Sequence, residues 1–271
     1  MIRKLTDDEL RFLHKEGYLV LEQLYALEEI EDIRQAFDHM WIDAVVNKQF
    51  VQQPNRPLTS LYPPVRDRHL SHERLMQLML DPRNIALAEQ LLGEEPLAVG
   101  CDCFFKAPGA DVLPFHQDNY DIGAEPGTTW AVWISLDQAD PENGALRFVP
   151  GTQHFELIPP RLPSHLSAYG QAVRVPEGYK AVDVSTSPGD VVLFNGQVLH
   201  GSHANRTLYR FRRSFVTHYV GSSVQKIYVH YLDLYDRHGN VVKRKLNRMH
   251  KLQFDPAYRR KTSIHSRKPT S

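Results

Sequence analysis

His116 and Asp118 stand two residues apart in the stretch Phe115-His116-Gln117-Asp118-Asn119-Tyr120. On an extended strand that spacing sends both side chains from one face, about 6.6 to 7 Å apart at the backbone, so they can grip one ion from one side. A further imidazole from another strand, His200 in Leu199-His200-Gly201-Ser202, would complete a set of two histidines and one carboxylate. Such a set occupies one face of a metal and leaves the opposite positions open, which suits non-haem Fe(II) that activates oxygen. Spacing alone decides nothing, because His154-Phe155-Glu156 offers a second histidine and carboxylate two residues apart.

The surrounding words narrow the reading. Phe104-Phe105-Lys106, Phe115-His116-Gln117-Asp118, Trp133-Ile134-Ser135-Leu136, Asn143-Gly144-Ala145-Leu146, Val149-Pro150-Gly151-Thr152, Pro188-Gly189-Asp190 and His200-Gly201-Ser202 resemble the phytanoyl-CoA hydroxylase branch of the Fe(II)/2-oxoglutarate dioxygenases. The likeness runs from about residue 9 to residue 219 and marks the catalytic core, not the substrate. It implies His116, Asp118 and His200 as metal ligands and catalytic centre, with Fe(II), 2-oxoglutarate as co-substrate, and O2. Succinate and CO2 would be released as a substrate carbon is hydroxylated. His154 follows the Val149-Pro150-Gly151-Thr152 turn, which resembles a strand end of the family and not its ligand strand, so His154 and Glu156 are set aside.

The far carboxylate of the co-substrate needs a planar, permanently charged fork inside a poorly solvated barrel, which arginine supplies and lysine does not. Arginines crowd positions 206, 210, 212 and 213. Alternation along residues 209–219 places Phe211, Arg213, Phe215 and Thr217 on one face and Arg210, Arg212, Ser214 and Val216 on the other. The family's arginine precedes a segment like residues 213–219, which selects Arg212. The spacing from His200 is one residue longer than the family pattern, so Arg210 stays in competition. From resemblance, Gln117, Ser202 and Lys106 match positions near the co-substrate and Trp133 matches a tryptophan packed against it. Asn119, Tyr120, Asp121 and His218 are candidate substrate contacts, although Asn119 and Asp121 also suit a turn. Related halogenases leave the Asp118 position empty for chloride. A carboxylate there favours hydroxylation, or a desaturating or ring-forming variant.

Elements that could position these residues are legible from periodicity. Thr6 and Glu9 form a capping box, with Leu5 and Leu10 as its staple, so a helix starts at Asp7 and Gly17 ends it. Residues 18–21 read as a strand, and Leu27, Ile30, Ile33, Phe37 and Trp41 recur at helical spacing. Residues 47–68 are proline-rich and aperiodic, a long loop of the kind that often carries function. Asp81, Pro82 and Gly93 bound a helix over residues 81–92. From Leu97 the period changes, and strands follow at 97–105, 115–118, 128–136, 145–149, 180–183, 191–194, 198–201 and 209–219. Helices first and strands later predict an α+β, mainly β protein with helices on one side of an antiparallel sandwich. The resemblance implies a double-stranded β-helix, the cupin-like jelly roll. Residues 150–178 would lie over the barrel mouth, where the resemblance gives 154–169 a part in selectivity.

The 271 residues fit a single dioxygenase domain, with 1–95 mainly helical, 96–220 the jelly-roll core and 221–271 a basic C-terminal extension. Zero formal net charge and 42% apolar residues indicate an ordinary globular chain and call for no nucleic acid. Residues 240–271 hold ten lysines and arginines against the single Asp255. Their aromatics are sparse and no nucleic-acid reader motif is present, so the run reads as a solvated arm or one that packs subunits, as in a homodimer. Cys101 and Cys103 share a strand face, where a mutual disulfide is disfavoured, and read as reduced buried residues. The basic start runs into acidic residues without an apolar stretch, and no run nears the ~18 residues of a spanning helix, so a cytoplasmic protein without a membrane segment is expected. A zinc hydrolase could use the same ligands with a metal-bound water but has no need of Arg212. A non-catalytic binding module would normally have lost a ligand. The substrate itself is not readable; a small metabolite or natural-product intermediate is preferred to an acyl-CoA, because chemistry resides in the site and not in the fold.

Overall fold

The computed structural model describes residues 3–160 and 171–247. In chain order these give α1 (Asp7–Glu16), β1 (Tyr18–Leu21), α2 (Leu27–Val46), β2 (Val65–Arg66), α3 (Glu73–Met79), α4 (Pro82–Leu92), β3 (Pro96–Phe104), β4 (Leu113–His116) and α5 (Asp118–Ile122). There follow β5 (Trp130–Ser135), β6 (Leu146–Val149), β7 (Val182–Val184), β8 (Val191–Asn195), β9 (Leu199–Ser202) and β10 (Ser214–Gly221). Last come β11 (Lys226–Ile227), β12 (Asp233–Tyr235), β13 (Val241–Lys243) and β14 (Lys245–Leu246). The capping box forms as read: Thr6 Oγ1 accepts from the Glu9 N–H and the Glu9 carboxylate accepts from the Thr6 N–H.

A major sheet runs β1-β8-β5-β10-β3-β12-β13, with β2 added to β3, and a minor sheet runs β4-β9-β6-β7; every pairing in both is antiparallel. Together they make the double-stranded β-helix. Strand alternation splits the core in two. On β5, Val132 and Ile134 pack with Ile30, Ile33, Phe37 and Leu75 of the helical layer. Ala131 and Trp133 point the other way, between the sheets, against Leu146, Phe148 and Val198. Full burial of each large side chain stabilises by about 1.5–3 kcal/mol, so the helical layer holds the major sheet flat against its outer face and leaves the inner face for chemistry.

The Pro188-Gly189-Asp190 turn ties that layer to β8. Asp190 carboxylate oxygens accept from the Gln23 and Ser187 N–H groups at 2.9 and 2.7 Å, while Gly189 C=O accepts from the Tyr25 N–H at 3.1 Å. Gly189 has φ +95°, and a Cβ there would lie 2.3 Å from Tyr25 O. Gly189→Ala is therefore expected to cost about 3 kcal/mol through strain and backbone displacement. Thermal unfolding checks this: a melting point lowered by roughly 6 to 12 °C is expected, and an unchanged one would contradict the account.

Several boundaries differ from the periodicity. The strand expected over 115–118 stops at His116, because Gln117 leads into the short helix α5 and Asp118 is that helix's first residue. The strand expected over 209–219 starts only at Ser214; Arg210 and Arg212 precede it in extended, unladdered chain. α3 and β2 carry too few residues to display a period and were not anticipated. Residues 221–247 fold back onto the barrel: Tyr235 of β12 pairs with Ala98 of β3, and β11 pairs with β14 in parallel. The remainder of the basic extension, and residues 161–170 of the expected selectivity insertion, lie outside the described residues. Cys101 and Cys103 are free and buried. Among the described residues, no helix is long and apolar enough to cross a membrane.

Candidate active site

His116 and His200 are register partners across β4 and β9, so the minor sheet itself brings the two imidazoles together, with ring centroids 4.2 Å apart. Asp118 arrives by the turn into α5. Its Oδ1 lies 3.4 Å from His116 Nε2 and 3.5 Å from His200 Nε2. One ligand atom from each of the three lies within 4.8 Å of the others, and among the described residues this is the one such cluster of three or more. Neighbouring ligands on an octahedral ion at about 2.1 Å sit ~3 Å apart, and the Asp118 oxygen already approaches that spacing from each imidazole. The tautomers are fixed from behind. His116 Nδ1 faces Pro114 C=O at 2.8 Å and His200 Nδ1 faces Val198 C=O at 3.0 Å, so each donates there and turns the Nε2 lone pair inward.

Charge follows the same logic. Burial would raise the Asp118 carboxyl, but the imidazoles of His200, His218 and His116 hold it well below the usual carboxylate range. Burial pushes His200 down to about 4 against the pull of Asp118, so it is neutral at physiological pH. Burial would also lower His116, but the hydrogen bond and charge of Asp118 outweigh it and leave it above the usual range. Its proton is the one a divalent ion would displace. His218 Nε2 lies 3.0 Å from Asp118 Oδ2, which occupies the carboxylate oxygen turned away from the other two histidines. Phe194 and Phe148 wall the His200 ring, at centroid distances of 4.6 and 5.8 Å.

The same cavity contains Arg212, Trp133, Leu146 and Phe194 at one end. Arg212 is only 2% exposed. Its Nε donates to Gly144 C=O at 3.0 Å and its guanidinium to Ser214 Oγ at 2.7 Å, with the Trp133 ring 5.6 Å away. Arg210, the rival, is committed to the surface carboxylates of Asp140 and Glu142 at 2.5 and 3.1 Å. Arg213 is held by Asp137. Behind Arg212 a second cavity holds Lys106 and Ser202, whose Nζ and Oγ are 2.8 Å apart. Burial, with Arg212 nearby, holds the Lys106 ammonium well below the usual lysine range.

Other expected contacts are placed elsewhere. Gln117 is fully buried; its amide donates to Gln197 C=O and accepts from the Ile158 N–H, which braces the loop after β6 and does not line the cavity. Asn119 caps the α5 turn through the Ala124 N–H, and Tyr120 is buried away from the cavity lining. Asp121 and His218 do line it. His154 contacts Gln153 and the His14 ring of α1 and is not among the three side chains that converge. Four lining residues escaped the sequence reading: Arg66, Asp67, Asp102 and Tyr231. The first two end the proline-rich loop that had been marked as functional by its length. Asp102 alone among polar residues interrupts the β3 run, a signal that was available. Tyr231 lies in the extension and gave none.

Fold, site and family together define an Fe(II)/2-oxoglutarate-dependent dioxygenase: a double-stranded β-helix with two histidines and a carboxylate converging in one cavity. The chain belongs to the phytanoyl-CoA dioxygenase (PhyH) family, whose model matches residues 13–214. It is 24% identical over 255 residues to phytanoyl-CoA dioxygenase of Arabidopsis thaliana, covering 80% of this chain and 89% of that protein. It is 23% identical over 246 residues to the peroxisomal phytanoyl-CoA dioxygenase of Rattus norvegicus, covering 83% and 71%. Among solved structures, EctD from S. alaskensis with 2-oxoglutarate and 5-hydroxyectoine superposes with a TM-score of 0.65 at 20% identity, covering 82% of this chain and 78% of that one. The epimerase SnoN from nogalamycin biosynthesis, in complex with Fe3+, alpha ketoglutarate and nogalamycin RO, gives 0.64 at 19% identity, covering 81% and 84%.

Proposed function

We propose that this enzyme hydroxylates an aliphatic carbon of a small metabolite or natural-product intermediate, with His116, Asp118 and His200 as the iron ligands and Arg212 as the anchor of 2-oxoglutarate. The observation that carries the reading is the convergence of those three ligand atoms in the cavity that also holds a buried arginine. Bound iron would supply the redox chemistry that couples oxidative decarboxylation of the co-substrate to oxidation of the substrate. The chain's own contributions are positional. Arg212 presents a fixed fork to the far carboxylate, Trp133 and Leu146 exclude water from that end, and Lys106 with Ser202 adds hydrogen-bonding polar groups behind it. His218 keeps the second Asp118 oxygen occupied, so the carboxylate offers one oxygen toward the two imidazoles. The presence of Asp118 favours hydroxylation over halogen transfer.

The test is an anaerobic titration of metal-free protein with Fe(II) and 2-oxoglutarate, followed by the weak visible charge-transfer band of the chelate, and then a substrate screen read by succinate release and product mass. A band, succinate and a product heavier by one oxygen are expected. Tight zinc binding with no band would instead favour a hydrolase, and a product lighter by two hydrogens would move the reading to desaturation or ring closure.

A further inference from the structure

The end of the cavity away from Arg212 is walled by Arg66, Asp67, Asp102, Asp121, His218 and Tyr231. Its apolar surface comes from Val99 and Ile122. The charges there do not balance. Arg66 lies 3.3 Å from Asp102 Oδ1 and 3.1 Å from the Tyr231 hydroxyl, so its cation is committed to Asp102. His218 is committed to Asp118. Asp121 accepts from the neutral Gln171 amide at 2.9 Å. Asp67 has no hydrogen bond or ion pair to its carboxylate among the described residues. Among the described residues neither carboxylate is in an ion pair, although His69, Arg66, His218 and His230 lie near enough to attract Asp67.

The placement of Asp67 is built, not incidental. Its backbone sits in the left-handed region at φ 56°, its N–H donates to Cys101 C=O at 2.8 Å, and its carboxylate rests on Gly100 of β3. A Cβ at Gly100 would lie 2.5 Å from Asp67 Oδ1. Gly100 is the register partner of His218, so the carboxylate reaches the barrel wall in the same row as the histidine bonded to Asp118. Burial pushes the Asp67 carboxyl above its usual range and outweighs the opposing pull of His69, Arg66, His218 and His230, none of which is ion-paired to it.

We propose that the substrate carries a protonated amine that seats against Asp67 and Asp121, with its carbon skeleton laid over Val99 and Ile122 toward the metal ligands. The inference rests on the reading of this cavity as the oxidation site and adds the substrate's chemical class. A desolvated carboxylate without a partner is costly, and an ammonium donor removes that cost through charge-assisted hydrogen bonds. The same groups reject alternatives: a neutral isostere leaves the carboxylates unpaired, and an anionic group meets like charge. A substrate bearing its phosphate or carboxylate at this end is disfavoured.

The experiment is calorimetric titration of the full chain, loaded anaerobically with Fe(II) and 2-oxoglutarate, with pentylamine, pentanol and pentanoate, while the chelate band is recorded on the same samples. The amine should bind at least tenfold tighter than the alcohol or the acid. Asp67→Asn should weaken amine binding about tenfold or more and leave pentanol binding where it was, with the melting curve reporting that the variant is folded. Asp121→Asn, at the second carboxylate, gives the same reading if Asp67→Asn does not fold. Equal or tighter binding of pentanol or pentanoate, amine affinity unmoved in both variants, or no binding by any of the three overturns the proposal. Amine preference without a chelate band would sink the assignment of the iron ligands and leave this inference standing. A band without amine preference would do the reverse.

Discussion

His200→Ala is expected to abolish the chelate band and reduce 2-oxoglutarate turnover to background. With His116, Asp118 and His200 as the proposed ligands, loss of one would leave two donors, and even outer-shell losses at metal sites cost 10–100-fold in affinity. A drop of more than about a hundredfold in iron affinity is the corresponding expectation. The substitution also empties space between Phe194 and Phe148, since His200 is buried against both. A fall of about 2 kcal/mol in stability should accompany it. His200→Gln keeps most of the volume and still lacks the imidazole lone pair held inward by Val198, so it should lose the band while melting close to the parent. A persistent band in both variants would remove His200 from the ligand set.

Arg212→Ala should raise the 2-oxoglutarate concentration for half-formation of the band by about a hundredfold or more, in line with the 2–5 kcal/mol that loss of one partner of a buried, hydrogen-bonded charge pair costs. Arg212→Lys should recover little of this, because an ammonium cannot reproduce the fork that spans Gly144 C=O and Ser214 Oγ while facing a carboxylate. Arg210→Ala serves as the contrast, since its guanidinium is spent on Asp140 and Glu142 at the surface and its loss should leave the titration unmoved. If Arg210→Ala shifts the midpoint and Arg212→Ala does not, the anchor has been misassigned.

The chemistry was far more legible in the sequence than the specificity. The convergence of His116, Asp118 and His200 was legible because these side chains sit within a few fixed words of the sequence. The route by which Asp118 reaches them was not: strand alternation explained the spacing, whereas the chain turns into α5 one residue after His116. The segment after Arg212 singled it out as the proposed anchor, and burial in the cavity separates it from Arg210, which no strand face could do because β10 begins only at Ser214. Gln117 illustrates the opposite failure, a match in position whose amide braces a loop. Arg66, Asp67 and Tyr231 come from irregular chain, where no period announces which side chain turns inward. Asp102 interrupts the apolar β3 run, a signal of an inward carboxylate that periodicity alone could not tie to a role.

The family model ends at residue 214, yet Tyr231 reaches the cavity from beyond it, carried there by chain that returns to pair β12 with β3. With the ligands and the substrate end assigned as proposed, reactivity and choice of substrate would be inherited partly through different stretches of one gene, so that change in the last stretch would alter the molecule oxidised without touching a ligand of the iron.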